Sequence, residues 1–135
     1  MTMATAKRIL RRSLACVLLA GAAPLAAADD TDGTWAAAEM SPADLRAQVA
    51  ADASSLVILD VRTPEEFAAG HIPGAINIPH DQVPARLAEF RAWKDKSIVA
   101  YCRSGRRVGI ALKALHDAGF TKLVHLTGDM PGWSK

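Results

Sequence analysis

The chain has 135 residues, half of them apolar and 22% charged, with a formal net charge of +2. That length is enough for one domain with one core. The positive balance is local: Lys7, Arg8, Arg11 and Arg12 carry it, and without residues 1–28 the balance is about −2, which excludes the basic surface that nucleic acid requires.

The first stretch reads as an export leader. A basic n-region is followed by Ser13 to Ala23, which carries no charge, and then by Ala26-Ala27-Ala28 ahead of Asp29 and Asp30. Basic start, short apolar run and small-residue site together describe a secretory signal peptide over residues 1–28, cleaved after Ala28. The run is too short to hold a stable bilayer span, so no stable membrane insertion is expected after cleavage. Arg11-Arg12 raises twin-arginine export, but Ser13-Leu14-Ala15 fits that signal poorly. Cys16 lies at the start of the apolar stretch rather than its end, which argues against lipid attachment. The expected location is periplasmic. Cys16 leaves with the leader, and Cys102 then stands alone where paired cysteines normally form disulfides. A lone thiol there is either buried and inert or kept for chemistry.

Residues 29–40 are polar and alanine-rich and read as an irregular lead, and residues 41–135 as the domain. Ser41-Pro42-Ala43-Asp44 marks a helix start, with Ser41 as N-cap and proline just inside. Leu45 and Val49 give that helix its buried side, and it should end near Asp52. Leu56-Val57-Ile58-Leu59 is a continuous apolar run, as in a parallel strand covered on both faces. Thr63, Pro64 and Glu66 form a capping box, with Gly70 as the stop. Pro73-Gly74 has turn chemistry and precedes a short extended piece. Val83, Leu87 and Phe90 predict one face of a third helix, with Pro84 near its start. Ile98 to Tyr101 predicts a buried strand, Val108, Ala111, Leu112 and Leu115 a helix ending at Gly119, and Leu123, Val124 and Leu126 a last strand. The alternation implies an α/β domain with a mostly parallel sheet and helices on both faces. Ligands of such sheets bind beyond the carboxyl ends of the strands, where Asp60 and Cys102 both fall.

Cys102-Arg103-Ser104-Gly105-Arg106-Arg107 joins a strand to a helix. Amide groups at a helix N-terminus are unpaired, and the macrodipole adds positive potential there. Such a setting lowers a thiol's pKa, and the thiolate is the nucleophile. Arg103 and Arg107 offer forked, permanently charged contacts to an anion, Ser104 one more hydrogen bond, and Gly105 a close backbone approach. Arg106 is expected to face solvent. Asp60 and Arg62, two apart, are read as a supporting pair. His71 sits in the Pro-Gly turn segment. His80, His116 and His125 lack metal-ligand spacing with each other or with Cys102, so neither a metal site nor a cofactor is expected. Tyr101 and Trp133 are read as packing.

Three stretches carry a family resemblance. Leu59-Asp60-Val61-Arg62-Thr63-Pro64-Glu65-Glu66-Phe67 is similar to a D-V-R-x-x-x-E-[FY] segment. Gly70-His71-Ile72-Pro73-Gly74-Ala75-Ile76-Asn77-Ile78-Pro79 resembles G-H-I-P-G-A-x-N-[IL]-P, and Tyr101 to Arg107 resembles Y-C-R-S-G-x-R. The chain thus resembles a single-domain rhodanese of the exported bacterial type over about residues 41–133. The resemblance implies a rhodanese-like fold and a thiosulfate sulfurtransferase that carries sulfane sulfur as a persulfide on Cys102 to cyanide or a thiol. The active loop, Arg103 to Arg107, would hold the small anionic donor. The alternative is a persulfide carrier that works with a protein partner. Arsenate reductases and phosphatases use C-x5-R, which would place the arginine at Val108; the C-x4-R spacing here gives a smaller cradle. Mercaptopyruvate-type loops are less cationic. The chain departs from the family pattern at Asp129, which stands where L-x-G-G has its second glycine.

Overall fold

A computed structural model describes residues 35–135 of the chain. The expected leader, its cleavage site and residues 29–34 of the lead lie outside the described residues. Five strands form one parallel sheet: β1 (Ala38–Met40), β2 (Leu56–Asp60), β3 (Ile76–Asn77), β4 (Ser97–Tyr101) and β5 (Leu123–Leu126). Their spatial order is β1-β5-β4-β2-β3. Among the described residues five α-helices accompany them: α1 (Pro42–Asp52), α2 (Pro64–Ala69), α3 (Leu87–Phe90), α4 (Arg106–Asp117) and α5 (Asp129–Trp133).

The sheet separates two apolar layers, as the period of two along a strand requires. In β4 and just after it, Ile98, Ala100 and Cys102 join Phe90 of α3 and Val108, Leu112 and Leu115 of α4. Val99 and Tyr101, with Leu56 and Ile58 of β2, instead join Leu45 of α1 and, more peripherally, Met130 and Trp133 of α5. Every residue of β2 is buried, which explains its unbroken apolar run. Helices therefore cover both faces. The thiol lies on the α3/α4 side, while Asp60 and Tyr101 point to the other.

Local signals set the helix ends. Ser41 accepts the Asp44 amide at 3.1 Å at the start of α1. Thr63 and Glu66 close a reciprocal capping box on α2, and the Gly70 amide bonds back to the Phe67 carbonyl at its end. Gly119, just beyond α4, has φ +92°, which favours glycine.

Two expectations need correction. The lead, read as irregular through Met40, becomes strand β1 in its last three residues, with Ala38, Glu39 and Met40 opposite Val124, His125 and Leu126. Its alanine-rich sequence carries little strand signal; the exposed or half-buried strand is held by backbone pairing at the sheet edge. The third helix is also not continuous. Three-residue 3₁₀ turns at Pro84–Arg86 and Arg91–Trp93 flank a four-residue α3. Pro84 cannot donate an amide, and Arg86 at φ −116°, ψ 22° interrupts helical geometry. Val83 and Phe90 are nevertheless both fully buried.

Phe90 has no exposed surface and meets Trp93 and Phe120 edge-on at centroid distances of 5.3 and 6.2 Å. Phe90→Ala should therefore cost about 3–5 kcal/mol in urea unfolding. A loss under about 1 kcal/mol would show that this short helix does not anchor the α4 layer.

Candidate active site

The site is built where β4 ends. Tyr101 is its last residue, Cys102 leaves the sheet, and Gly105 at φ +90° turns the chain into α4. This is a position where glycine is needed: the turn is left-handed, and a Cβ would come within 3.3 Å of Asp129 Oδ2. The turn aims the Gly105 amide at Cys102 Sγ, to which it donates at 2.9 Å. The thiol has no exposed surface in this state and sits against the first turn of α4. Arg103, Ser104 and Arg106 are exposed around it, whereas Gly105 and Arg107 are half-buried.

Arg107 reaches sideways to α2. Its two terminal nitrogens donate to the Glu66 carboxylate at 2.7 and 3.1 Å. Glu66 also accepts the Thr63 amide at 3.0 Å, so the α2 cap and the active loop share one carboxylate. The Arg107 guanidinium, aided by that amide, pushes the Glu66 carboxyl down to about 2. A cleft of about 340 Å³ opens here, lined by Arg62, Glu66, Arg103 and Met130 among others.

On the opposite face of the sheet lies a buried polar network. Arg62 donates its Nε to Asp60 Oδ1 at 3.0 Å and its Nη2 to Oδ2 at 2.7 Å. Asp60 has no exposed surface, and Arg62 is 7% exposed. Asp60 and Tyr101 are register partners on adjacent strands, and the Tyr101 hydroxyl donates to Asp60 Oδ2 at 2.7 Å. That hydroxyl accepts the Ile72 amide at 3.1 Å. Arg62 Nη2 also donates to the Gly70 carbonyl at 2.7 Å, and Asn77 donates to the Asp60 and Arg62 carbonyls at 3.0 Å each. Burial and the adjacent carboxylate hold the Tyr101 hydroxyl above its ordinary pKa. No buried side-chain polar atom among the described residues lacks a partner.

Of the residues singled out in the sequence, Cys102 through Arg107 come together in one loop. Asp60 and Arg62 pair with each other beneath the neighbouring strand. His71 stacks on Phe67 at 3.7 Å between centroids and bonds its carbonyl, with no contact to the thiol. Trp133 packs under the Arg46 guanidinium at 4.0 Å. Glu66, Asp129 and the His125 that pairs with Asp129 escape the sequence reading as neighbours of the loop. Glu66 registered only as a cap, since its partner lies 41 positions away. Asp129 registered only as a departure, yet its Oδ1 accepts the Cys102 amide at 2.9 Å.

Fold and site together define an α/β domain that holds a buried thiol, bonded by a backbone amide, on the loop between a parallel strand and a helix. The chain belongs to the rhodanese family, since residues 41–135 match the model of the rhodanese-like domain. It is 36% identical over 85 residues to a sulfurtransferase of Allochromatium vinosum, covering 63% of this chain and 78% of that protein. It is 37% identical over 70 residues to the thiosulfate sulfurtransferase PspE of Escherichia coli, covering 52% of this chain and 67% of that one. Other curated relatives are longer, and the match spans 30% of one and 27% of another. Among solved structures, a human single-domain sulfurtransferase superposes with a TM-score of 0.63 at 31% identity, covering 73% of this chain and 96% of that one. Sulfur transfer is the general chemistry that the family and these relatives support.

Two substitutions test the geometry. Asp60→Ala strands the buried Arg62 guanidinium and should destabilise the fold by about 3–5 kcal/mol in urea unfolding; a loss below about 1 kcal/mol would mean that Arg62 finds water instead. Glu66 has a folded-state pKa lowered from 4.5 to about 2, so its pairing stabilises fully above 4.5 and fades as pH falls toward 2. Glu66→Gln keeps the cap and loses the charge. It should be less stable than the parent by up to about 1 kcal/mol at pH 7, and the difference should shrink below pH 4.5. A pH-independent difference would assign the effect to packing.

Proposed function

We propose that the protein is a thiosulfate sulfurtransferase that carries sulfane sulfur on Cys102. The Cys102 thiolate attacks the outer sulfur of thiosulfate, a sulfur–sulfur bond forms, and the S–SO₃ bond breaks with its electron pair leaving on sulfite. Cyanide or a thiolate then attacks the outer persulfide sulfur, and the Cys102 thiolate is regenerated. Both half-reactions conserve charge and need no outside oxidant. They are the two halves of a ping-pong cycle.

The observation that carries this reading is the Gly105 amide, which already donates to Cys102 Sγ at 2.9 Å. A preorganised donor aimed at Sγ stabilises the thiolate that attacks in the first half-reaction and is regenerated in the second, at no reorganisation cost during reaction. The exposed guanidinium groups of Arg103 and Arg106 give the rim a positive sign suited to a fully ionic donor. The thiosulfate sulfurtransferase among the relatives supports the choice of donor. The basic start, apolar run and alanine site of residues 1–28 support export to the periplasm ahead of this chemistry.

The test is thiocyanate formation from thiosulfate and cyanide by the protein and by Cys102→Ser. Turnover in the parent that falls to background in the variant is the expected result. Retained turnover in Cys102→Ser would remove the persulfide mechanism. A persulfide mass on Cys102 with negligible transfer to small acceptors would replace the enzyme reading with that of a carrier.

A further inference from the structure

Asp129 is the one non-glycine residue among those described with positive φ, at +52°. It is 5% exposed, and its carboxylate is fully engaged. Oδ1 accepts the Cys102 amide at 2.9 Å, and both oxygens lie 3.1 Å from His125 Nε2. The next amide, that of Met130, donates to the Cys102 carbonyl at 3.1 Å. A Cβ on Gly105 would meet Asp129 Oδ2 at 3.3 Å and His125 Cε1 at 3.4 Å, so the pair sits directly behind the loop glycine that serves the sulfur.

A carboxylate in that place raises an electrostatic problem. Bare, it opposes a thiolate or persulfide on Cys102 and an anionic donor alike. His125 supplies the opposite charge. The hydrogen bond that His125 donates to the Asp129 carboxylate raises the His125 pKa, against its burial. Burial alone would push the Asp129 carboxyl up, but His125 and the Cys102 amide outweigh it and leave it below its ordinary value. Other charges face the pair too. Glu39 of β1 is the register partner of His125 and favours its protonated form, while Lys113 of α4 lines the same groove and is paired with Asp117. On the β4 side the register partner is Ala100, which carries no charge. At the thiol itself the nearby charge from α4 is Arg107.

We propose that His125 and Asp129 are positioning residues for sulfur transfer: Asp129 fixes the main chain of Cys102, and protonated His125 cancels the carboxylate so that an anion is tolerated at Sγ. The chemistry rests on the persulfide reading, but the pair acts on thiolate formation, which can be followed without turnover. When His125 loses its proton the pair becomes negative, and reaction at Cys102 weakens on the alkaline side relative to a chain without the carboxylate.

The experiment measures iodoacetamide alkylation of Cys102 in the full chain between pH 5 and 9, read by mass on the peptide that contains it and so separated from Cys16. Parent, His125→Gln, Asp129→Asn and the double variant are compared; asparagine keeps an oxygen for the Cys102 amide. His125→Gln should slow alkylation at pH 7 by about tenfold, because it leaves the carboxylate bare. Adding Asp129→Asn should restore the rate to within about threefold of the parent. Asp129→Gly, compatible with positive φ, provides a second rescue if asparagine perturbs folding. A parental alkylation profile in His125→Gln, or a double variant no faster than it, would overturn the proposal. The expected alkylation pattern in a protein that forms no thiocyanate would count against the thiosulfate reading and still support the His125–Asp129 pair.

Discussion

The Asp60 carboxylate ends β2 with no exposed surface and receives four donors: the Arg62 amide, the Arg62 Nε and Nη2, and the Tyr101 hydroxyl. An ionised carboxylate this far from water is tolerable only when such donors are present. Each donor brings a stretch of chain with it. Arg62 continues to the Gly70 carbonyl, and the Tyr101 hydroxyl accepts the Ile72 amide. The turn before β3, the end of β2 and the end of β4 are thereby held in one arrangement. Tyr101 is the residue before the thiol, and a strand alternates its faces, so fixing its ring on one side aims Cys102 at the other. The apolar layers supply the bulk of the core; the buried acid decides where the sheet stops and the loop begins.

Around the sulfur, charge is handled in pairs. Arg107 is matched by Glu66, and Asp129 by His125. With His125 protonated, as proposed, the interior of the site is nearly neutral, and the start of α4 and the Gly105 amide face the thiol. The exposed arginines, Arg103 and Arg106, stand further out. This division lets long-range attraction act at the rim while short, directional bonds act on sulfur.

What was legible in the sequence was local. Ser41, Thr63, Glu66 and Gly70 place helix ends through contacts three or four residues long, and the structure puts caps at those residues. Continuous and helical apolar spacing locate β2, β4 and α4 for the same reason. Strand β1 was hidden because Ala38, Glu39 and Met40 become a strand only through β5, more than eighty positions away in the chain. The third helix was over-read because apolar spacing does not register the backbone break at Arg86. The candidate loop was visible as a contiguous segment, whereas Glu66 and His125 were not visible as its neighbours. Asp129 could be seen as an aspartate in a glycine position, but a sequence does not state what such a side chain touches.

The anchoring of Cys102 by α5 has a consequence for how the site assembles. Its amide and carbonyl are held by Asp129 and Met130, and Asp129 lies 27 positions downstream. A chain emerging in order from a ribosome or a translocation pore presents the thiol well before it presents the residues that clamp it. Strands β2 and β4 can pair and bury their apolar faces first, but the nucleophile gains its final geometry only when β5 docks and α5 turns back over the loop. The bonds that fix the Cys102 main chain can therefore form only after β5 and α5 have emerged.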